Sequence, residues 1–211
     1  MRGRYSKLHK DRDNNRAPKA ASPTPLRDWI HRQRPARRAA GVALFAVLIA
    51  CGGMAPASIP LTPVPGSQQL LFVLLAGVIL GSRLGAVSAI VYLAAAAITG
   101  RIWPAGAGID PLIGPTAGFL WSLPLTAYFA GLAVERLKGE TASHYAIGVC
   151  GAIAAYHALG TLRLIGATDY GSSEAFVKGA GIFLGQHIAH GAIAVMIASS
   201  ASDLVRAREK K

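Results

Sequence analysis

His187 and His190 stand three residues apart, so on a helix their rings share one face, and His157 lies in a neighbouring apolar stretch. Imidazoles in this arrangement are raw material for a metal centre or a proton relay. The sequence gives that chemistry little support, because it has no H-E-x-x-H motif and no carboxylate beside these rings within the apolar segments. Histidines hydrogen-bonded between packed helices are the plainer reading, and no metal is expected. Nucleophilic catalysis has less behind it still, since G-x-S-x-G is absent. The stretch GATDYGSS, 166–173, has the spacing of a phosphate loop but lacks its lysine, so this chain is not expected to hydrolyse ATP. An intramembrane enzyme using the histidines with Ser or Asp is the weaker alternative.

A second constellation is GIDPLIGPTAGFLW, Gly108 to Trp121, with two prolines, three glycines and one aspartate before an apolar run. Pro111 and Pro115 each fix φ and remove a donor, so they stiffen the approach. Gly114 and Gly118 permit close backbone approach, and Thr116 places a hydroxyl at the first turn of a helix whose free N–H groups can meet a polar group. Such a segment is suited to binding a small solute or, more plainly, to starting a well-capped membrane helix.

These residues are held by an all-α membrane protein. Of 211 residues 52% are apolar and 15% charged, and the net charge of +12 is segregated, with twelve of 22 Lys and Arg in residues 1–38. Residues 1–38 read as a disordered basic cytoplasmic tail, 39–203 as a transmembrane domain and 204–211 as a basic cytoplasmic tail. No short apolar stretch with a small-residue cleavage site precedes Ala39, so no signal peptide is expected. Beside so much membrane-length apolar sequence, the basic tail points to anionic lipid and the bilayer, not to nucleic acid. Cys51 and Cys150 fall inside apolar runs and are expected to be small core residues.

Six apolar segments are predicted to be membrane helices: 39–58, 68–82, 84–99, 112–134, 144–165 and 176–201. A single helix over 68–99 would run about 48 Å against a hydrocarbon core of ~30 Å, so a turn is expected at Gly81 to Gly85. With six crossings and the N-terminus inside, nineteen basic residues fall on the cytoplasmic side and only Arg101, Arg163 and Lys178 on the other. Both termini are therefore expected in the cytoplasm. That orientation puts Pro60, Pro63, Pro65, Pro104, Pro111 and Pro115 in the outward loops. Irregular backbone near lipid must be buried in protein or line a cavity, so an outward pocket under stiff loops follows.

Three ordered motifs then carry a family resemblance: Val64, Pro65, Ser67 and Gln69 opening the second helix, Leu80 to Gly85 at the turn, and Gly114, Pro115, Thr116, Gly118 and Phe119 opening the fourth. Together they resemble the BioY family, the biotin-binding S-components of energy-coupling factor (ECF) vitamin transporters. The match covers 62–131, with a weaker echo in YHALGTLRL. It departs at the segment after the third helix, TGRIWPA, and in the last helix, where Gln186 and Ala189 stand at the family's Asp-x-x-Lys pair. The departure leaves open an S-component or solo transporter for a different vitamin or small solute.

The resemblance implies an S-component-like bundle in a bacterial cytoplasmic membrane that captures biotin and takes it up. It implies as partners a transmembrane coupling subunit and two ATPases, which alone use ATP; no cofactor is expected in this chain. Biotin offers a cyclic urea, a sulfur ring and a carboxylate. Hydrogen-bonders for it are Ser67, Gln68, Gln69, Thr116 and Gln186; walls are Tyr92, Trp103, Phe119 and Trp121; Asp169 and Glu174 could accept from the urea. The cation for the carboxylate is left among Arg101, Lys178 and Arg163, the last of which can equally snorkel to the interface. Against the coupling subunit the resemblance sets small residues of the first helix, here Ala39 with Ala43 and Ala46 with Ala50, spacings that internal packing also uses.

Overall fold

Helix α1 spans Pro35–Gly53, with proline at its start where the missing N–H costs nothing. It belongs to a computed structural model that describes residues 32–54, 61–102, 106–107, 110–136 and 142–209. The remaining helices are α2 (Gln69–Leu80), α3 (Ser82–Thr99), α4 (Asp110–Ile113), α5 (Ala117–Arg136), α6 (Ala142–Ala167), α7 (Ser172–Gly179) and α8 (Leu184–Glu209). Strands β1 (Arg101–Ile102) and β2 (Gly106–Ala107) form one antiparallel hairpin, the only departure from helix in the regular structure of the described residues. Five helices are long and apolar enough to cross a membrane, the last counted from Ser172 to Arg208, and α2 is a shorter apolar helix.

α2 is the axis of the bundle. Eight of its twelve residues are buried, including Leu70, Val73, Leu74 and Val78, and α1, α3, α5 and α8 pack around it. One core joins α2 to α5, α6 and α8 through Leu74, Val134, Tyr145, Val149 and Ala198; another joins α1, α3 and α5 through Ile49, Ala89, Tyr92 and Leu123. Large apolar side chains such as Leu44, Ile98, Ile147, Leu162 and Met196 face outward, as lipid contact requires. Pro124 sits inside α5, where the buried Ser122 and Thr126 hydroxyls donate to the carbonyls of Phe119 (2.7 Å) and Ser122 (2.9 Å).

Several sequence expectations shift. The turn between the second and third helices is a single residue, Gly81, at φ 85°, a conformation open to glycine because it has no Cβ. The predicted helix 112–134 is broken at Gly114–Thr116, because Pro115 cannot continue the short α4, and Thr116 therefore precedes α5 instead of sitting in its first turn. The predicted span 176–201 is also broken: Ser172–Gly179 folds as a separate helix, so the connection expected over 166–175 shrinks to 168–171. α1 begins at Pro35, within the stretch read as tail, and α8 runs on to Glu209. Cys51 and Cys150 are exposed on the bundle's surface, not in its core.

Glu135 of α5 caps α3 from outside: its carboxylate accepts from Ser82 N (2.8 Å) and Ser82 Oγ (2.7 Å). A carboxylate there meets two donors and the positive end of the helix dipole. Glu135→Ala is expected to lower stability by about 1–2 kcal/mol, read as thermal unfolding in detergent. An unchanged midpoint would mean that the cap contributes nothing.

Candidate functional site

The alternating helices bring one set of ends together: the C-termini of α1, α3 and α6, the N-termini of α2, α5 and α8, the hairpin and α7. Among the described residues this end carries Arg101, Arg163 and Lys178, whereas the other carries Arg32, Arg34, Arg37, Arg38, Arg83, Arg136, Arg206 and Arg208. Its cover is residues 61–68, tied down by specific bonds. Gln68 N donates to Gly52 O (2.9 Å), Thr62 Oγ1 to the Lys178 carbonyl (2.5 Å), and Gln186 Nε2 to the Ser67 carbonyl (3.1 Å).

Beneath this cover lies a cavity of about 30 Å³ faced by Ser67, Gln69, Thr116 and Phe119, together with Val64, Pro65 and Tyr156. Four residues assigned from sequence thus meet around one void. Its volume is one water's share, well under the ~300 Å³ at which small-molecule sites begin, so a ligand must displace its walls. A much larger groove, about 990 Å³, runs between α6 and α8 past Cys150, Ile188 and Met196. It is open along the side of the bundle and its lining is almost wholly apolar, with His157 and Thr161 as exceptions. The small cavity is the one with convergent polar groups.

Other assigned residues fall in different places. Tyr92 stands behind the wall, buried, where its hydroxyl accepts from Gln69 Nε2 at 2.6 Å. Gln186 holds the cover instead of lining the void. Lys178 pairs with Glu174 (2.8 Å) and lies 4.1 Å from the Tyr170 ring centroid, in a shallow outer depression. Arg101 is exposed on the hairpin, and Trp103 lies outside the described residues. Arg163 donates through Nε to Gly114 O (3.2 Å) and through its terminal nitrogen to Ile113 O, so it fastens the turn before α5. Trp121 is exposed, with its indole N–H on Leu112 O (2.9 Å), and Asp169 is exposed as well. On α1, Ala39 and Ala43 are exposed, Ala46 is buried and Ala50 packs against the α1–α3–α5 core.

Tyr156, with Leu120 and Leu123, lines the cavity without having been assigned from sequence. Its ring packs on Phe119 (5.2 Å between centroids) and stands edge-on to His157 (5.4 Å) and His187 (5.5 Å). His187 Nδ1 and His157 Nε2 are 2.9 Å apart, and His190 Nε2 donates to Gln68 Oε1 at 2.7 Å. Among the described residues no three His, Cys, Asp or Glu side chains converge as a metal-holding group.

Fold and site together define a multi-pass helical membrane protein with a small cavity of mixed polar and apolar lining at one end. Residues 21–207 match the model of the BioY family. A biotin transporter BioY of Rhizobium etli is 34% identical over 144 residues, covering 64% of this chain and 77% of that protein. A probable biotin transporter BioY of Pyrococcus horikoshii is 32% identical over 158 residues, covering 74% and 91%. In architecture the chain is similar to the S-component for biotin from an ECF-type ABC transporter, with a TM-score of 0.72 over 78% of this chain and 90% of that one, at 20% identity. The chain belongs to the BioY family.

Proposed function

We propose that this protein is the substrate-binding subunit of an ECF-type transporter, capturing biotin from outside a bacterial cytoplasmic membrane and releasing it inward. The observation that carries the reading is the convergence of Ser67 and Gln69, Thr116 and Phe119, and Tyr156 from three separated segments on one cavity. In this reading α1, α2, α3, α5, α6 and α8 are six crossings. The end rich in arginine faces the cytoplasm with both termini, and the cavity end faces out. A transmembrane coupling subunit and two ATPases supply the energy, and the exposed Ala39 and Ala43 offer the coupling subunit a close-packing face.

The test is titration of the purified chain with biotin; millimolar or absent affinity would exclude the assignment. Gln69→Leu leaves Tyr92 without its amide partner and strips the cavity of a polar wall. It is expected to weaken biotin binding by about 1–3 kcal/mol, or roughly 5- to 150-fold. Parental affinity in this variant would remove Gln69 from the site. A second reading, an S-component for another small solute, is favoured by Gln186 and Ala189 standing where the family has Asp and Lys. Mass spectrometry of co-purified small molecules separates the two.

A further inference from the structure

Behind the cavity wall lies a polar group that the biotin reading has not used. His157, His187 and His190 are 8%, 4% and 4% exposed, and among the described residues they are the buried side chains that can take up a proton near neutral pH. The rings of His157 and His187 have centroids 4.9 Å apart, and those of His187 and His190 5.7 Å. One side chain separates them from the void: Tyr156 lines the cavity on one side and meets His157 and His187 on the other. Gln68, bonded to His190, directly precedes cavity-lining Gln69.

The hydrogen bonding within this group is incomplete. His157 and His187 share one N···N contact, in which one ring donates and the other accepts. His190 Nε2–H donates to Gln68 Oε1, so in the uncharged ring Nδ1 is an acceptor, buried and without a partner. A buried polar atom left unsatisfied points to a missing proton or ligand group. A proton on Nδ1 would need a negative charge nearby, and among the described residues none lies against the rings. Against the rings stand Tyr156 from α6, Phe183 just before α8, and Gln68 from the cover. The acidic groups at this end, Asp110, Asp169 and Glu174, are exposed.

A carboxylate drawn into so dry a site needs a compensating positive charge. The described cations are committed or distant: Arg163 to two backbone carbonyls, Lys178 to Glu174, and Arg101 on the exposed hairpin. We infer that the three histidines are the carboxylate-reading subsite of this protein, and that the ligand's carboxylate enters together with one proton taken from water. Displacing Tyr156 joins the void to the histidines, the carboxylate settles against them, and the proton makes one ring an imidazolium. The charge balance closes on two neutral states, an uncharged empty site and an ion pair. The inference rests on the biotin reading and specifies which residues meet the acid.

Calorimetry of the full chain in detergent at pH 8, in two buffers of different ionisation heat, tests it. Uptake of close to one proton per biotin is expected. Affinity should fall by about tenfold per pH unit between pH 7.5 and 8.5, the slope of a single linked proton. Biotin methyl ester, which has no carboxylate, should bind with no such slope. His190→Gln, which keeps an amide to meet Gln68, and His187→Asn should each weaken biotin at least about tenfold and abolish proton uptake while leaving the ester's affinity in place. A merely structural role would weaken acid and ester alike and overturns the inference. So does parental biotin binding that is flat with pH and takes up no proton. If the parent binds neither biotin nor its ester, the biotin reading itself falls, a result distinct from binding without proton uptake.

Discussion

Gly160→Ala is expected to cost the protein at least about 100-fold in biotin affinity, or roughly 2.7 kcal/mol, while leaving it able to assemble in the membrane. A methyl group at this position would lie 2.1 Å from Phe119 Cδ1 and Cε1 and 2.4 Å from Cζ, where real Cβ contacts do not come. The ring must therefore move by about an ångström. Behind it lie Tyr156, Val64 and Phe183, the apolar set that shares its cluster, and beside it the void of about 30 Å³. The easiest direction is into the void, which fills the site before any ligand arrives. Overpacking of this kind costs about 1–3 kcal/mol of stability, so the fold should persist. Binding at parental strength in Gly160→Ala would show that Phe119 is not a wall of the ligand site.

A larger effect on folding is expected at Gly131→Val, which should give little folded protein and destabilise what forms by at least about 3 kcal/mol. Here the added Cβ would meet backbone instead of a movable ring: Ser82 N at 2.3 Å, Gly81 C at 2.5 Å and Ser82 Cα at 2.6 Å. The neighbouring glycines are as tight, with a Cβ on Gly77 falling 2.3 Å from Ala127 O and one on Gly85 falling 2.8 Å from Gly77 Cα. α2, α3 and α5 therefore touch main chain to main chain, the close approach that small residues allow within a bilayer. Gly151→Ala, with nothing within 4 Å of its new methyl, is the control and should change stability by no more than about 0.5 kcal/mol. Size-exclusion profiles and thermal unfolding of both variants read the contrast. A well-folded Gly131→Val protein would refute the tight crossing.

The apolar runs made most of the helices legible in sequence, because a membrane leaves the backbone few other ways to satisfy itself. The breaks were harder to place. A single glycine sufficed between α2 and α3, since its positive φ reverses the chain in one residue, whereas the sequence showed five plausible turn residues in GSRLG. α7 was hidden because its mixed composition reads equally as loop; the burial of Ala175 and Gly179 against the bundle and the Glu174–Lys178 pair one turn apart support it as a helix. At the site, Ser67, Gln69, Thr116 and Phe119 were legible from motifs that precede helix starts. Tyr156 was not, because in an alanine-rich helix an aromatic ring carries no mark of the face it occupies. That face is fixed where α5 and α6 cross so closely that a Cβ on Gly118 would collide with Arg163 and Leu159, and one on Gly160 with Phe119. The fates of Arg163 and Lys178 were equally invisible, since their partners are a distant loop's carbonyls and a carboxylate one turn away.

α2 has twelve residues and so rises only about 18 Å, against ~30 Å of hydrocarbon. In the proposed orientation, with exposed Arg83 marking the cytoplasmic edge, a passenger lodged at the other end of α2 would lie below the outer lipid esters, as if in a dry dock cut into the hull. What then remains for the machinery is to open the floor over a little more than half the thickness of the barrier, a shorter haul than any carrier that must start from the surface.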